Sequence, residues 1–394
     1  MRQLRVLGVV AALATIISSA AVAARGGLGF PDWEWTLVND DAPWARRAGL
    51  QVVELRDRLY LMGGRTPLQS PVPGASVIWD DVWASDDQGR SWRPLVGPGE
   101  GGHWPARAYF QAVTKGPFMY VLGGQNFRVS PQGFPVSDFF SDVWRSIDGK
   151  RWRRMTPDAG WTGRAGLSAA VLNDYIYVLG GSKNDDQAIG GPGGPARIYF
   201  NDVWRSRNGR DWEQVTEAAP WAPRAGAVVV TKGEYLYLLG GEDGFLCDPS
   251  RPDRCPPYYN DVWRSRDGEH WDLVTASAGW TPRPGHQCVV ALDQFVCFGG
   301  FGLPATPFDP PANPSDVWVS RTGAFWEQVS DSPWNASSPD AIKYDFDALV
   351  VNGRRGPAIL TFGGDRETFN FADPLNYLRV DNDVWRFSPP RPRR

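Results

Sequence analysis

Asn260-Asp261-Val262-Trp263-Arg264-Ser265-Arg266-Asp267-Gly268-Glu269-His270-Trp271 decides the fold, because it recurs with small changes along the whole chain. Its siblings occupy residues 80–92, 141–152, 201–212 and 315–326, and a half-copy, Asn382-Asp383-Val384-Trp385, stands close to the last residue. Each copy reads as a short strand, a tight turn with Asp or Asn before Gly, and a return strand opened by Trp. Asn and Gly tolerate the positive φ that a two-residue hairpin turn demands, which makes this a strong local hairpin signal.

Outward from each copy the same neighbours appear. Six Gly-Gly pairs (Gly63-Gly64, Gly123-Gly124, Gly180-Gly181, Gly240-Gly241, Gly299-Gly300, Gly363-Gly364) alternate with the six Asp-Val-Trp copies. Each pair closes a β-rich run such as Tyr235-Leu236-Tyr237-Leu238-Leu239, and a second apolar run opened by Trp-x-x-Arg, as in Trp221-Ala222-Pro223-Arg224, precedes it. One unit is therefore strand a (Arg-Ala-Gly and an apolar run), strand b ending in Gly-Gly, strand c (Asp-Val-Trp) and strand d. Four antiparallel strands per unit, six times over, predict an all-β, six-bladed β-propeller. The sixth unit lacks strand d, and Trp33-Glu34-Trp35-Thr36-Leu37-Val38 matches Trp212-Glu213-Gln214-Val215. The N-terminal strand is thus expected to pair into the last blade and close the ring, which also covers two sheet edges.

The composition agrees: Gly (44), Pro (34) and Trp (20) are all abundant in 394 residues, as suits short strands joined by turns. Repetition overrides the two or three domains that this length alone suggests, since radial folds grow by adding units. The organisation expected is a targeting segment at 1–23, one propeller over 31–388 and a short basic tail at 389–394. Arg2 and Arg5, the apolar run 6–17 and Ala21-Val22-Ala23 fit a cleavable signal peptide, so the mature protein is expected to be exported, periplasmic or extracellular. Cleavage removes two arginines and no acid, moving the net charge from −3 to −5, neither of which suits nucleic acid. No later stretch is suited to span a membrane. Export permits disulfides. Cys247 and Cys255 flank a loop that they are expected to clamp; Cys288 and Cys297 face each other on neighbouring strands, as a bridge or as two buried thiols.

Gly-Gly, then Asn-Asp-Val-Trp and a further Trp, resembles the kelch repeat over nearly all of the mature chain. Ser85-Asp86-Asp87-Gln88-Gly89-Arg90-Ser91-Trp92 also resembles the Asp-box hairpin of sialidase-type propellers, while 146–152 and 265–271 are one residue shorter. Both resemblances imply a propeller, and neither motif is catalytic in its own family. Six Trp in strand c, six opening strand d and six before strand a, with only Trp33 and Trp79 outside these sets, read as wedges between blades.

In a propeller, strand a lines the central channel and the d–a and b–c connections share one face. The b–c connections (65–80, 125–141, 182–201, 242–260, 301–315, 365–382) are long, whereas the a–b and c–d turns are tight, so a ligand is expected on the long-loop face. That face carries Arg47, Arg107, Arg164, Arg224 and Arg283 at equivalent positions, with Ser337 standing where a sixth is expected and Asp345 and Asp347 at that blade's inner strand. Five guanidinium groups around one axis suit a carboxylate or sulfate ligand. The alternative is that they pair with the aspartates that open each strand c: Asp81, Asp142, Asp202, Asp261, Asp316 and Asp383. Glu242, Asp243 and Asp365, just after Gly-Gly, are further candidates at the channel mouth. A calcium site at Asn184-Asp185-Asp186 has only generic spacing.

No cofactor and no metal are expected. A copper centre of the galactose-oxidase type needs two His with Tyr, and the three histidines (His103, His270, His286) fall on unrelated parts of the repeat. A sialidase needs an Arg triad with a Tyr–Glu pair, and the entry motif around its first Arg is absent. The leading expectation is an exported binding or scaffolding module for a glycan or protein. The second, by resemblance to six-bladed kelch propellers that act on sialic-acid-like sugars, is a mutarotase using the Arg ring and a carboxyl acid/base.

Overall fold

The computed structural model describes residues 30, 32–185, 195–244, 255, 257–302, 314–335, 342–353, 356–368 and 372–390. Six four-stranded antiparallel sheets stand around a common axis. The first blade comprises Gln51–Leu55, Arg58–Met62, Val82–Ser85 and Arg93–Val96; the fourth comprises Val228–Lys232, Tyr235–Glu242, Tyr258–Ser265 and Trp271–Thr275. The closing blade is composite: Asp347–Gly353, Gly356–Asp365 and Val380–Ser388 from the C-terminal end, and Glu34–Asn39 from the N-terminal end. Glu34 pairs with Ser388 and Leu37 with Trp385, so the ring is closed by the N-terminal strand. Trp33, outside the periodic sets, packs on Phe30 and on Phe387 of that closing blade, with centroids 4.5 and 5.4 Å apart.

Sequence dictates the blade through three local devices. The c–d turn is held by its Ser: Ser265 Oγ accepts from Gly268 N–H at 2.8 Å, and Trp271 Nε1–H closes the turn on the Gly268 carbonyl at 2.9 Å. The Trp before strand a meets the Trp opening strand d edge-to-face, as in Trp104–Trp152 (87°) and Trp221–Trp271 (81°), which is the arrangement the indole quadrupole favours. The Gly-Gly pair is where adjacent blades approach closest. A Cβ on Gly63 (φ 57°) would lie 2.6 Å from the Phe110 ring and 2.8 Å from the Arg107 carbonyl, so only glycine fits. The second glycine then donates across the gap, Gly64 N–H to the Arg107 carbonyl at 2.9 Å, with equivalents at Gly124, Gly181, Gly300 and Gly364.

Cys288 and Cys297 lie directly opposite each other on strands His286–Ala291 and Gln294–Gly299 and are disulfide-bonded, resolving the alternative left by the sequence. Cys255 is also disulfide-bonded, while Cys247 lies outside the described residues, as do residues 1–23, expected to be a targeting segment, and residues 391–394 of the tail. No helix among the described residues is long and apolar enough to cross a membrane.

His286 occupies the core position that Phe110 and Phe346 hold in the second and sixth blades, and neither ring nitrogen has a hydrogen-bond partner. Burial, with Arg283 nearby, pushes its pKa from 6.5 down to about 3. Between those values the unfolded chain binds the extra proton, so stability falls as pH drops through that window. His286→Phe is expected to raise the melting temperature, and to raise it more at pH 5 than at pH 8. An equal gain at both pH values would mean that the ring is not held neutral.

Candidate functional site

The five ring arginines are all within 0–2% exposure. Each bonds the strand-c aspartate of its own blade: Arg47 to Asp81, Arg107 to Asp142, Arg164 to Asp202, Arg224 to Asp261 and Arg283 to Asp316, at 2.5–3.2 Å. The same guanidinium donates to the first carbonyl of its Gly-Gly pair at 2.8–3.4 Å. Its Nε donates to the carbonyl two residues back at 2.9–3.1 Å. In four blades an aromatic two residues before the aspartate covers it: Trp79, Phe140, Phe200 and Tyr259, 3.7–4.7 Å from the guanidinium carbon. Trp79 is thus the first blade's version of a repeated cap. The expectation of a five-fold anion site gives way to the pairing alternative, because the cations are spent inside their blades.

The sixth member of the ring is Lys343, not residue 337, which lies outside the described residues. Lys343 is 0% exposed and holds Asp383 at 2.5 Å and Asp381 at 3.0 Å. Asp381 stands where the other blades carry the cap, so a second carboxylate replaces the aromatic beneath a smaller cation.

Two residues beyond each ring cation the inner strands form a belt. Its members are Gly49, Tyr109, Gly166, Gly226, Gly285 and Asp345, all at positive φ. Gly49 N–H donates to the Asp345 carbonyl (2.8 Å), Tyr109 to Gly49 (2.9 Å), Gly166 to Tyr109 (2.9 Å), Gly226 to Gly166 (2.9 Å) and Asp345 to Gly285 (3.0 Å). Below it runs a channel of about 550 Å³ lined by the six inner strands. Its next layer is polar and stitches neighbouring strands: Gln51 accepts from Ala112 N–H at 3.0 Å and Asp347 from Val52 N–H at 2.5 Å. Burial pushes the Asp347 carboxyl up to about 7.

Tyr109 (φ 54°) and Asp345 (φ 50°) are the two belt members with side chains, and left-handed backbone at a non-glycine residue is a mark of functional sites. Around them the residues after Gly-Gly converge. Arg65 Nε donates to the Tyr109 hydroxyl at 2.5 Å and its NH2 to Asp365 at 2.8 Å, tying three blades together. Burial, then the Asp365 charge, pushes Asp345 up to about 7, with Arg65 opposing. Asp365 is raised too, chiefly by burial. Across the mouth Glu242 is held well above the usual carboxylate range by burial and by Asp185, Asp345 and Asp243. The Tyr199 hydroxyl donates to Asp185. The mouth is therefore a carboxyl-rich pocket in which protons are retained near neutral pH, suited to hydrogen-bonding hydroxyls or to moving a proton.

Of the residues singled out from sequence, Glu242, Asp243 and Asp365 come together here, all within 8% exposure. Tyr109, Arg65, Asp345 and Asp185 complete the site. Their signals were departures from the repeat: Tyr for Gly after Arg107-Ala108, and Arg65 at the offset from Gly-Gly that Glu242 and Asp365 occupy. Of the residues of the calcium pattern, Asn184 donates to the Ala196 carbonyl at 3.0 Å, Asp185 accepts from Tyr199, and Asp186 lies outside the described residues. The described His/acid grouping Asp267, Glu269 and His270 sits on the tight-turn face, where Asp267 already accepts from both neighbouring backbone N–H groups at 2.9 Å.

No protein-family model matches the chain. Among curated proteins it is similar to F-box/kelch-repeat protein SKIP30 of Arabidopsis thaliana, 24% identical over 212 residues, covering 47% of this chain and 55% of that protein. It is also similar to N-(sulfonatooxy)prop-2-enimidothioate sulfolyase of Thlaspi arvense, 21% identical over 360 residues, 86% of this chain and 94% of that one. A third likeness is to N-acetylneuraminate epimerase of Vibrio cholerae, 25% identical over 139 residues, 33% of this chain and 34% of that one. Among solved structures, that of YjhT superposes with a TM-score of 0.59 at 16% identity, over 88% of this chain and 96% of that chain. The protein is a kelch-type β-propeller.

Proposed function

We propose that the protein is an exported binding module whose ligand, a glycan free or carried on a protein, sits at the channel mouth on the long-loop face. The observation that carries this reading is the belt: Tyr109 and Asp345 occupy left-handed positions where the other four blades have glycine, although a side chain there costs about 1–2 kcal/mol. Such strain at two positions of a six-fold repeat supports a ligand site at the mouth. Hydroxyl-rich ligands suit retained carboxyl protons and tyrosine hydroxyls. Export is supported by the N-terminal pattern and by the Cys288–Cys297 bond; N-terminal sequencing of the mature protein is expected to begin at Ala24.

Tyr109→Gly relieves the strained backbone but removes the Arg65 partner, two effects that oppose each other, so it is expected to shift the melting temperature little while weakening glycan binding at least about tenfold, some 1.4 kcal/mol. Asp267→Ala on the opposite face is expected to change nothing. A glycan array followed by titration calorimetry reads both; loss of binding in the turn variant alone would reverse the assignment of faces.

A second reading, a sugar-acting enzyme, is favoured by Asp345 at about 7 beside Glu242, a carboxyl poised for acid/base work. Exchange between sugar anomers followed by NMR tests it: a catalytic Asp345 predicts that Asp345→Asn slows exchange about 100-fold or more.

A further inference from the structure

The polarity of the mouth indicates which ligand it selects. Glu242, at the end of strand Tyr235–Glu242, is 8% exposed, and its Oε2 has no hydrogen-bond partner. Its other oxygen stands 3.5 Å from where a Cβ on Gly226 would lie, so this carboxylate leans over the belt where the glycine leaves room. At the next station, Asp345 Oδ1 stands 2.8 Å from the Cβ position of Gly285, again over a bare station. Among the described residues, the charged neighbours acting on Glu242 are acids: Asp185, Asp345 and Asp243.

Among the described residues, several cations of this face are already engaged. Arg65 is engaged by Asp365 and Tyr109. Lys183 lies over the Phe139 ring and Arg366 pairs with Asp381, while Arg197 acts on Tyr199, whose hydroxyl Asp185 holds. Tyrosine rings flank the carboxylates: Tyr258 is the cross-strand partner of Glu242, and Tyr109 sits on the belt next to bare Gly49 and Gly166. A buried Glu242 oxygen without a donor, bordered by a second carboxylate and by aromatic faces, suits an organic cation, which satisfies both the missing donor and the ring quadrupoles.

We propose that the mouth selects a ligand bearing a positively charged nitrogen, a primary or quaternary ammonium group seated between Glu242 and Asp345. The proposal rests on the reading of the mouth as the ligand site and narrows it: an anionic sugar would meet like charge, and a neutral one would leave the Glu242 carboxyl protonated. Binding of a cation draws both carboxyls into their ionised forms, so protons are released and affinity rises with pH. Asp345, pushed up to about 7, places its share of that rise around neutrality, and Glu242 is raised in the same direction by burial and the neighbouring acids.

The test is titration calorimetry and thermal shift on the protein with choline, its neutral isostere 3,3-dimethylbutanol, glucosamine, glucose, glucuronate and calcium. Choline is expected to bind about tenfold or more tightly than its neutral isostere. Its affinity should rise from pH 6 to pH 8 with proton release, seen as a heat that varies with buffer. Glu242→Gln and Asp345→Asn are each expected to abolish the preference while keeping the melting temperature of the unliganded protein. Neutral or anionic probes binding as well as the cations, with Tyr109→Gly still removing them, would overturn the charge selection and leave the mouth as the site. Calcium stabilising the protein where no ammonium does would replace the ammonium by a metal ion. Failure of every probe at millimolar concentration would overturn both readings.

Discussion

Asp202→Asn is expected to destabilise the protein by about 3–5 kcal/mol, although Asp202 touches no channel and no candidate ligand. The substitution leaves Arg164 at 1% exposure with its charge uncompensated beneath the Phe200 ring, 3.7 Å away. Removing one partner of a buried pair costs far more than the pair is worth against an apolar replacement. Arg164→Met with Asp202→Leu together is therefore expected to cost less than Asp202→Asn alone. Urea unfolding of the three variants reads the difference. A loss below about 1 kcal/mol for Asp202→Asn would strip the ring of its structural role and return its arginines to the list of ligand residues.

Deleting the chain through Asn39 is expected to have the larger effect, abolishing the cooperative unfolding transition. The deletion uncovers the edge of Val380–Ser388 and removes Trp33 and Trp35, which pack on Phe387, Phe298 and Trp334. That loss is comparable with the whole stability of a domain, on the order of 5–15 kcal/mol. A chain starting at Ala24 is expected to melt like the full one. Adding residues 30–40 as a free peptide to the deleted chain should restore a transition, because the strand needs only to pair with Val380–Ser388. A deleted chain that melts unchanged would mean that the ring closes by some other contact.

Much of this architecture was legible because six copies of one unit vote on each position. The hairpin at 260–271, the closing strand and the wedge role of the periodic tryptophans all follow from spacing. The sixth blade misled because Trp334 and its ring cation are separated by nine positions where the others have three, which pointed to residue 337 in place of Lys343. The site was legible only by offset from Gly-Gly, which found Glu242, Asp243 and Asp365. Tyr109 announced itself as a departure from Arg-Ala-Gly, yet a tyrosine near an aromatic-rich repeat carries little contrast. Asp185 was readable only as part of a generic calcium pattern and Tyr199 not at all, since their hydrogen bond spans a loop and no repeat governs its length. Long connections vary in length and composition because nothing in the blade constrains them, and that freedom hides the contacts they make.

The belt of Gly49, Tyr109, Gly166, Gly226, Gly285 and Asp345 has one further consequence. It is a dial with six stations, of which Gly166 and Gly226 leave the most room, the nearest atoms to a Cβ there standing 3.2 and 3.5 Å away, whereas a Cβ on Gly49 or Gly285 would meet Tyr109 or Asp345 and Tyr344 at 2.8–3.0 Å. A new residue at Gly166 or Gly226 would enter the mouth at a height and angle already set by Tyr109 and Asp345. Recognition in this molecule can therefore be rewritten by substitution at the rim while the blades, their buried cations and their tryptophan wedges stay as they are.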